Sequence, residues 1–122
     1  MSQIERLPDR NIVVITPNGP LTDDDFVKLA QALDPIIASH AKATGLMIHA
    51  RSFPGWKSIG AFQAHMKFVG NYQRRIERVA VVTDSGFADL MAGIARHFVS
   101  PEIKRFDFND KDRALSWLET GR

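Results

Sequence analysis

The sequence predicts one α/β domain, in which an N-terminal hairpin strand is followed by parallel core strands with helices mainly on one face. The apolar period alternates along the chain between strand-like and helix-like segments, which is typical of repeated α–β units and a parallel sheet. The 122 residues suit one domain with a sizeable core, and 44% hydrophobic with 25% charged residues is typical of a globular protein. When strands follow each other in chain order, right-handed crossovers place their helices on one face.

The first half of the chain predicts a hairpin, a helix and a core strand. The β-branched run Ile12–Thr16 is a strand, and Ile4–Leu7 is its partner across a Pro-Asp-Arg-Asn turn. Thr22 is placed to cap a helix whose first turn holds three aspartates, where the helix dipole favours acids. Gly45 then opens a second core strand, Leu46–Ala50.

The second half of the chain predicts two further strands and three helices. Ser58 is placed to cap the first of these helices, which follows the Ser52–Trp56 loop. The remaining elements in chain order are a helix over 58–72, a strand over 78–83, a helix over 87–98, a strand over 103–108 and a final helix after Asp110.

The second core strand indicates that the two faces of the sheet differ. Leu46, Ile48 and Ala50 alternate with Met47, His49 and Arg51, and the alternate residues of a strand point to opposite faces. We therefore expect the face that carries His49 and Arg51 to be less covered by helices.

Most of the positive charge lies between Arg51 and Arg78. This stretch has six basic residues against the single acid Glu77, a net charge of +5 in a chain whose total is +2. Aromatic side chains are interleaved with the bases. Cations mixed with large apolar groups suit a membrane interface, an anionic amphiphile or an acidic partner.

The helix over 58–72 carries two apolar stripes. One stripe is sufficient to pack the helix on a sheet, so the second is a surplus. The surplus stripe is either buried between neighbouring helices or partly exposed to a ligand, a membrane or a second copy of the chain. Trp56 either fills the edge of the core or meets the same ligand. The packing stripe is Ile59, Phe62, Met66 and Val69, and the surplus stripe is Ala61, His65, Phe68 and Tyr72.

Catalytic and metal-binding patterns are missing from the sequence. The four histidines lack metal-ligand spacing, the chain has no cysteine, and Asp23–Asp25 are ordinary helix N-terminal acids. No phosphate loop or nucleophile elbow is present, and Thr83–Gly86 is best interpreted as a plain turn. Without a helix-turn-helix or RNA-recognition pattern, nucleic acid is not an expected partner. We expect no catalytic residue, no metal and no cofactor.

Four landmarks, in order, resemble the SpoIIAA-like proteins of the STAS/SEC14-like group. The landmarks are Gly19-x-Leu21-Thr22 before the acidic helix start, Phe53-Pro54-Gly55-Trp56, the strand from Arg78 to Asp84, and Phe106-Asp107-Phe108 leading to Ala114-Leu115-x-Trp117-Leu118. The resemblance implies a STAS-type sheet, kinship with lipid-binding CRAL-TRIO domains, helices that shift over an apolar cavity, and membrane association. The phosphorylatable-serine pattern of STAS antagonists is broken around Ser52, which argues against a phospho-switch at Ser52 or Ser58.

These observations together predict a non-enzymatic binding module for an apolar or amphiphilic, lipid-like and anionic ligand or membrane surface. The alternative is a STAS-type regulatory module that docks a protein partner. We expect a cytoplasmic protein, peripheral at the inner membrane surface, and a homodimer is compatible with the same patch. The expected ligand-binding residues are Phe53, Trp56, Phe62, His65, Phe68 and Tyr72, with Arg51, Lys57 and Lys67 at the anionic head group.

Overall fold

A five-stranded sheet forms the centre of the computed structural model, which describes residues 2–7, 9–52, 55–84 and 100–122. The strands lie side by side in chain order, β1 is antiparallel to β2, and the other neighbours are parallel. This arrangement confirms the predicted hairpin strand and parallel core. The strands are β1 (Ser2–Leu7), β2 (Ile12–Pro17), β3 (Ala43–His49), β4 (Ile76–Val82) and β5 (Glu102–Phe106).

Three helices flank this sheet in the described part of the chain. They are α1 (Asp23–His40), α2 (Ile59–Tyr72) and α3 (Lys111–Thr120), and a 3₁₀ turn over Gln73–Arg75 connects α2 to β4. The helix predicted over 87–98 lies outside the described residues. Asp110 stands at the N-cap of α3 as predicted, but its side chain does not cap the helix and instead lies 3.6 Å from Arg113.

Helices α1 and α2 share one face of the sheet, and α3 packs on the other. Alternation along β2 divides the core, because Val13 and Ile15 face α1 whereas Ile12 and Val14 belong to the cluster with α3. Among the described helices, the face that carries Met47 is the less covered one, as expected, but it is not bare: Met47 is completely buried in the α3 cluster. Helix α3 can pack on this face because it follows the last strand, and no crossover rule restricts such a helix.

A glycine allows α3 to lie close to the sheet. A Cβ atom built on Gly45 would be 2.7 Å from Cδ2 of Leu118, closer than a real Cβ contact. Arg78 reinforces the contact, since its guanidinium donates to the backbone carbonyl of Leu118 at 3.1 Å, near the negative end of α3. Arg78 therefore holds α3 in place, and it lies outside the predicted binding patch.

The start of α1 is joined to the edge strand through a buried carboxylate. Thr22 and Asp25 form a capping box: the Asp25 amide donates to Thr22 Oγ1 at 3.2 Å and the Thr22 amide donates to Asp25 Oδ2 at 2.9 Å. The other oxygen of Asp25 accepts from the Ser2 amide at 3.2 Å. Burial raises the pKa of Asp25, but the hydrogen bonds from Thr22 and Ser2 outweigh it and lower the pKa overall.

Candidate functional site

The segment before α2 is held against the start of α1. The Leu21 amide donates to the Gly55 carbonyl and the Lys57 amide donates to the Leu21 carbonyl, both at 2.8 Å, so Leu21 and Trp56 form a parallel bridge. Gly55 has φ 73°, which a side chain would strain. Ser58 accepts from the Ala61 amide at 3.1 Å, and the predicted N-cap is thereby confirmed. The N-terminal end of α2 is therefore capped by Ser58 and joined through Leu21 to the segment before α1.

The inner face of α2 packs against α1 through an aromatic row. Ala61 is completely buried at the start of this face. The His65 ring stacks on Phe26 at 4.9 Å between centroids, and Phe68 lies 6.0 Å from the same ring. Phe68 in turn stacks on Tyr72 at 4.7 Å. The surplus stripe of the sequence is therefore the packing stripe.

Tyr72 closes this row with a hydrogen bond to α1. Its hydroxyl donates to Asp34 Oδ1 at 2.6 Å. Desolvation, together with the hydrogen bond to Asp34 and the charge of that carboxylate, raises the pKa of Tyr72 to about 12. The two helices are thus joined by both apolar and polar contacts.

His65 connects α2 to the preceding loop. The Trp56 indole donates to His65 Nδ1 at 3.0 Å, so this nitrogen accepts and the neutral ring carries its proton on Nε2. Burial lowers the pKa of His65, which keeps the ring neutral at physiological pH. His65 is thus half-buried between Trp56 and Phe26.

The outer face of α2 exposes large apolar side chains. Ile59 is 79% exposed, Met66 45% and Phe62 41%. The sequence assigned Ile59 and Met66 to a stripe that packs on the core, and that prediction is wrong: α2 packs against α1 through the neighbouring stripe. Both stripes contain large apolar side chains, so apolar content alone did not show which one packs. Gln63 and Lys67 lie beside Ile59 and Met66 on the helical wheel and are the signal that indicated a solvent-facing side.

Trp56 and Phe62 form the border between the inner and outer faces. Their rings meet edge to face at 4.9 Å, and Trp56 is half-buried. Trp56 therefore supports the exposed Phe62 from below while its indole nitrogen is bonded to His65. Trp56 therefore fills an edge of the packing and lies next to the exposed surface, and its contact with a ligand stays a prediction.

Two lysines accompany the exposed stripe. Lys57 precedes α2 and Lys67 follows Met66; both are exposed, and neither forms an ion pair with any of the described residues. Helix α2 contains no aspartate or glutamate. Its outer face is consequently apolar, and the two nearby lysine charges have no acidic partner within the described ranges. We refer to Lys57, Ile59, Phe62, Met66 and Lys67 as the α2 surface.

Arg51 belongs to a different cluster, at the carboxyl ends of the strands. Its guanidinium lies 4.4 Å from the centre of the Phe108 ring and 3.5 Å from Asp84. His49 stacks on the same ring at 4.4 Å, and Asp84 accepts from the Phe108 amide at 3.1 Å. These contacts hold together the three chain segments that follow β3, β4 and β5. Arg51 is thereby engaged with residues outside α2, unlike the two lysines.

The other predicted site residues divide into two groups. His65, Phe68 and Tyr72 are half-buried in the contact between α1 and α2, where much of their surface is already used for packing. Phe53 lies outside the described residues, as do Ser85 and Gly86 of the turn after β4. Ile59 and Met66 are the exposed residues that the sequence-based site did not include.

The described residues offer exposed surfaces and grooves for contact with a partner. Within these residues, no three histidine, aspartate or glutamate side chains are grouped as metal ligands. No helix in the described part is long and apolar enough to cross a bilayer. Two open grooves flank β1, and neither is lined by a residue of α2.

The fold and the exposed helix face define a small α/β binding or regulatory module. The SpoIIAA-like family model matches residues 12–119, and the chain therefore belongs to the SpoIIAA-like family. Domains of this family are typically non-enzymatic. No curated protein matches the chain.

A solved structure supports the same fold. The chain is similar to an uncharacterized protein of the DUF3478 family, with a SpoIIAA-like fold, from Shewanella loihica PV-4. The TM-score is 0.70 with 23% sequence identity, over 97% of this chain and 92% of the other.

Proposed function

We propose that the protein is a non-enzymatic module that attaches reversibly to an anionic lipid surface through the α2 surface. The observation that carries the proposal is the exposure of Ile59, Phe62 and Met66 on a helix that contains Lys67, follows Lys57 and has no acid. Apolar side chains that enter the headgroup boundary, with lysines near anionic lipids, are the two components of interfacial helix binding.

The magnitudes fit a peripheral attachment. Complete burial of an exposed Ile, Phe or Met side chain is worth roughly 1.5–3 kcal/mol, and these three are already partly buried. Each lysine near an anionic membrane surface adds about 1 kcal/mol. The sum supports weak, salt-dependent binding from which the protein can dissociate.

The alternative is that the α2 surface docks a protein partner, as in a STAS-type regulatory module. Apolar residues at positions i, i+3 and i+7 of an exposed helix are also the anchors that a hydrophobic groove recognises. The lysines would then favour a groove with an acidic rim. The STAS-type fold is consistent with both functions, and the lipid proposal takes precedence because it needs no shaped partner groove.

Vesicle sedimentation tests the proposal directly. The protein should co-sediment with phosphatidylcholine vesicles that contain about a third phosphatidylserine at low salt, and less with pure phosphatidylcholine or at high salt. Ile59→Ser and Met66→Ser should each weaken binding several-fold, and Lys57→Glu with Lys67→Glu should abolish it.

The matched control is Val27→Ser. Val27 is 53% exposed on α1, so this substitution removes a comparable apolar side chain away from the α2 surface. It should leave vesicle binding unchanged. Absence of binding at low salt would overturn the lipid proposal, as would an equal loss in Val27→Ser and Met66→Ser. A soluble protein captured through Met66 with no vesicle binding would favour the alternative.

A further inference from the structure

Strand β1 presents an unpaired backbone edge. Among the described strands it pairs with β2 alone. The Ser2 amide donates to Asp25 and not to β2. Ser2 lies opposite Pro17, which has no N–H to offer the Ser2 carbonyl. The backbone polar groups of Ser2 therefore point away from β2. Backbone groups alternate in direction along a strand, and those of Ile4 and Arg6 therefore point outward as well. An edge of this kind is a template for another strand.

Space for another strand is open on both faces of this edge. A groove of about 530 Å³ lies between β1 and α1 and includes Ile4 and Arg6. A second groove of about 300 Å³ lies on the α3 side and includes Glu5 and Leu7. A strand added beside β1 would send its alternate side chains into the two grooves in turn.

We infer that the occupant of this edge is β1 of a second copy of the chain, paired antiparallel about a two-fold axis at Ile4. Two five-stranded sheets would then become one continuous ten-stranded sheet. In this register Ile4 opposes Ile4 of the second copy, and Ser2 opposes its Arg6. Each Ile4 amide donates to the Ile4 carbonyl of the other copy, and each Arg6 amide donates to the Ser2 carbonyl of the other copy. The Ser2 amide keeps its hydrogen bond to Asp25 of its own chain.

Charge complementarity favours a second copy over an arbitrary peptide. Arg6 has no ion-pair partner among the described residues of its own chain. In the dimer it lies opposite Ser2 of the second copy, whose amide is held by the carboxylate of Asp25. On the other face, Gln3 opposes Glu5 of the second copy, where the amide can donate to the carboxylate.

Single cysteines test the register, because the chain has no cysteine of its own. Directly opposed residues have Cα atoms about 4.5–5.5 Å apart, within the range of a disulfide. Under mild oxidation of the untagged full chain at micromolar concentration, Ile4→Cys should form a disulfide dimer. Gln3→Cys and Glu5→Cys should not do so alone but should cross-link to each other when mixed. Cross-linking of Ile4→Cys no faster than that of the surface control Val27→Cys would overturn the register.

Sedimentation velocity tests the dimer itself. The unsubstituted chain should show a concentration-dependent monomer–dimer equilibrium, which Ile4→Glu abolishes by placing two like charges at the axis. Because Ile4 is half-buried, Arg6→Ala provides a second variant that is expected to fold. A charged edge residue can instead prevent pairing, so the two roles of Arg6 predict opposite outcomes.

If Arg6 pairs with the second copy, Arg6→Ala weakens the dimer; if Arg6 guards the edge, Arg6→Ala strengthens it or creates one. A stronger dimer, or a chain that is monomeric throughout, would overturn the inference. So would a dimer that is lost in Met66→Ser and retained in Ile4→Glu, since that result would place the contact on the α2 surface.

Discussion

The indole nitrogen of Trp56 lies 3.0 Å from Nδ1 of His65 and donates its proton to it. This hydrogen bond joins the loop before α2 to the middle of the helix. It also assigns the His65 proton to Nε2, because a nitrogen that accepts cannot carry a proton. The same Trp56 ring packs edge to face against Phe62 of the α2 surface. Protonation of His65 at Nδ1 would remove the acceptor of Trp56, the residue on which Phe62 packs.

The stability of the protein should fall as the pH drops below about 6.5 because of His65. Burial lowers the pKa of His65 in the folded state below 6.5, so the unfolded chain binds the proton first as the pH falls. The free energy of unfolding therefore decreases once the pH drops below about 6.5, and the loss continues down to the folded-state pKa. Urea unfolding at a series of pH values measures this decrease in the free energy of unfolding.

Two variants isolate the contribution of His65. His65→Gln replaces the ring nitrogen with an amide oxygen that can still accept from Trp56 but does not titrate in this range, so it should flatten the pH dependence. The control His40→Gln changes a histidine that is exposed at the end of α1 and should preserve the dependence. An equal slope in His65→Gln and the unsubstituted chain would contradict the prediction.

Phe68→Ala should destabilise the fold, whereas Met66→Ala should not. Phe68 contacts Phe26 and Tyr72 at the junction of α1 and α2, and loss of this half-buried ring is expected to lower the free energy of unfolding by about 2 kcal/mol. Met66 is 45% exposed, and its truncation should change the free energy by less than about 0.5 kcal/mol. Chemical denaturation of the two variants compares them. The reverse order would mean that the outer stripe packs after all.

Tyr72 should ionise near pH 12. It is the single tyrosine of the chain, so the tyrosinate absorbance reports on it alone. Desolvation and the hydrogen bond to Asp34 raise its pKa to about 12, compared with about 10 for a free tyrosine. Because the folded-state pKa is raised, this contribution to stability is complete below about pH 10 and is lost as the pH rises through the folded-state value. Asp34→Asn should lower the midpoint, and an unshifted midpoint in the original chain would refute the contact.

Asp25→Ala should be much more destabilising than Asp24→Ala, although both remove an acid from the first turn of α1. Asp25 is buried and accepts from the amides of Thr22 and Ser2, which would lose their partner; the expected loss is about 1–3 kcal/mol. Asp24 pairs at 3.3 Å with Lys28 on the surface, and its loss should be below about 1 kcal/mol. Thermal unfolding of the pair gives the comparison.

The fold was accessible from the sequence because its signals are local. The β-branched run of β2, the cap at Thr22 and the cap at Ser58 each mark an element boundary without reference to the rest of the chain. The strand order follows from chain order and crossover handedness. The packing of α3 over Met47 did not follow from the sequence, because a helix after the last strand can pack on either face of the sheet.

The candidate site was only partly accessible. Lys57, Phe62 and Lys67 were expected in it and lie on the α2 surface, but Ile59 and Met66 were assigned to the core. Their orientation depends on the long-range fit between α2 and α1, where His65 meets Phe26 and Tyr72 meets Asp34. Such a fit is encoded in two distant segments and cannot be determined from the period of one helix.

The order of strands has a consequence for synthesis on the ribosome. Each strand of the sheet pairs with the one made just before it, so the sheet can extend strand by strand as the chain emerges. The side chains of Ile12, Val14 and Met47 are made early, yet α3, which packs against them, spans Lys111–Thr120. Nascent chains that have not yet released α3 therefore lack this cover, and they are the forms in which chaperone binding or aggregation through this face is expected.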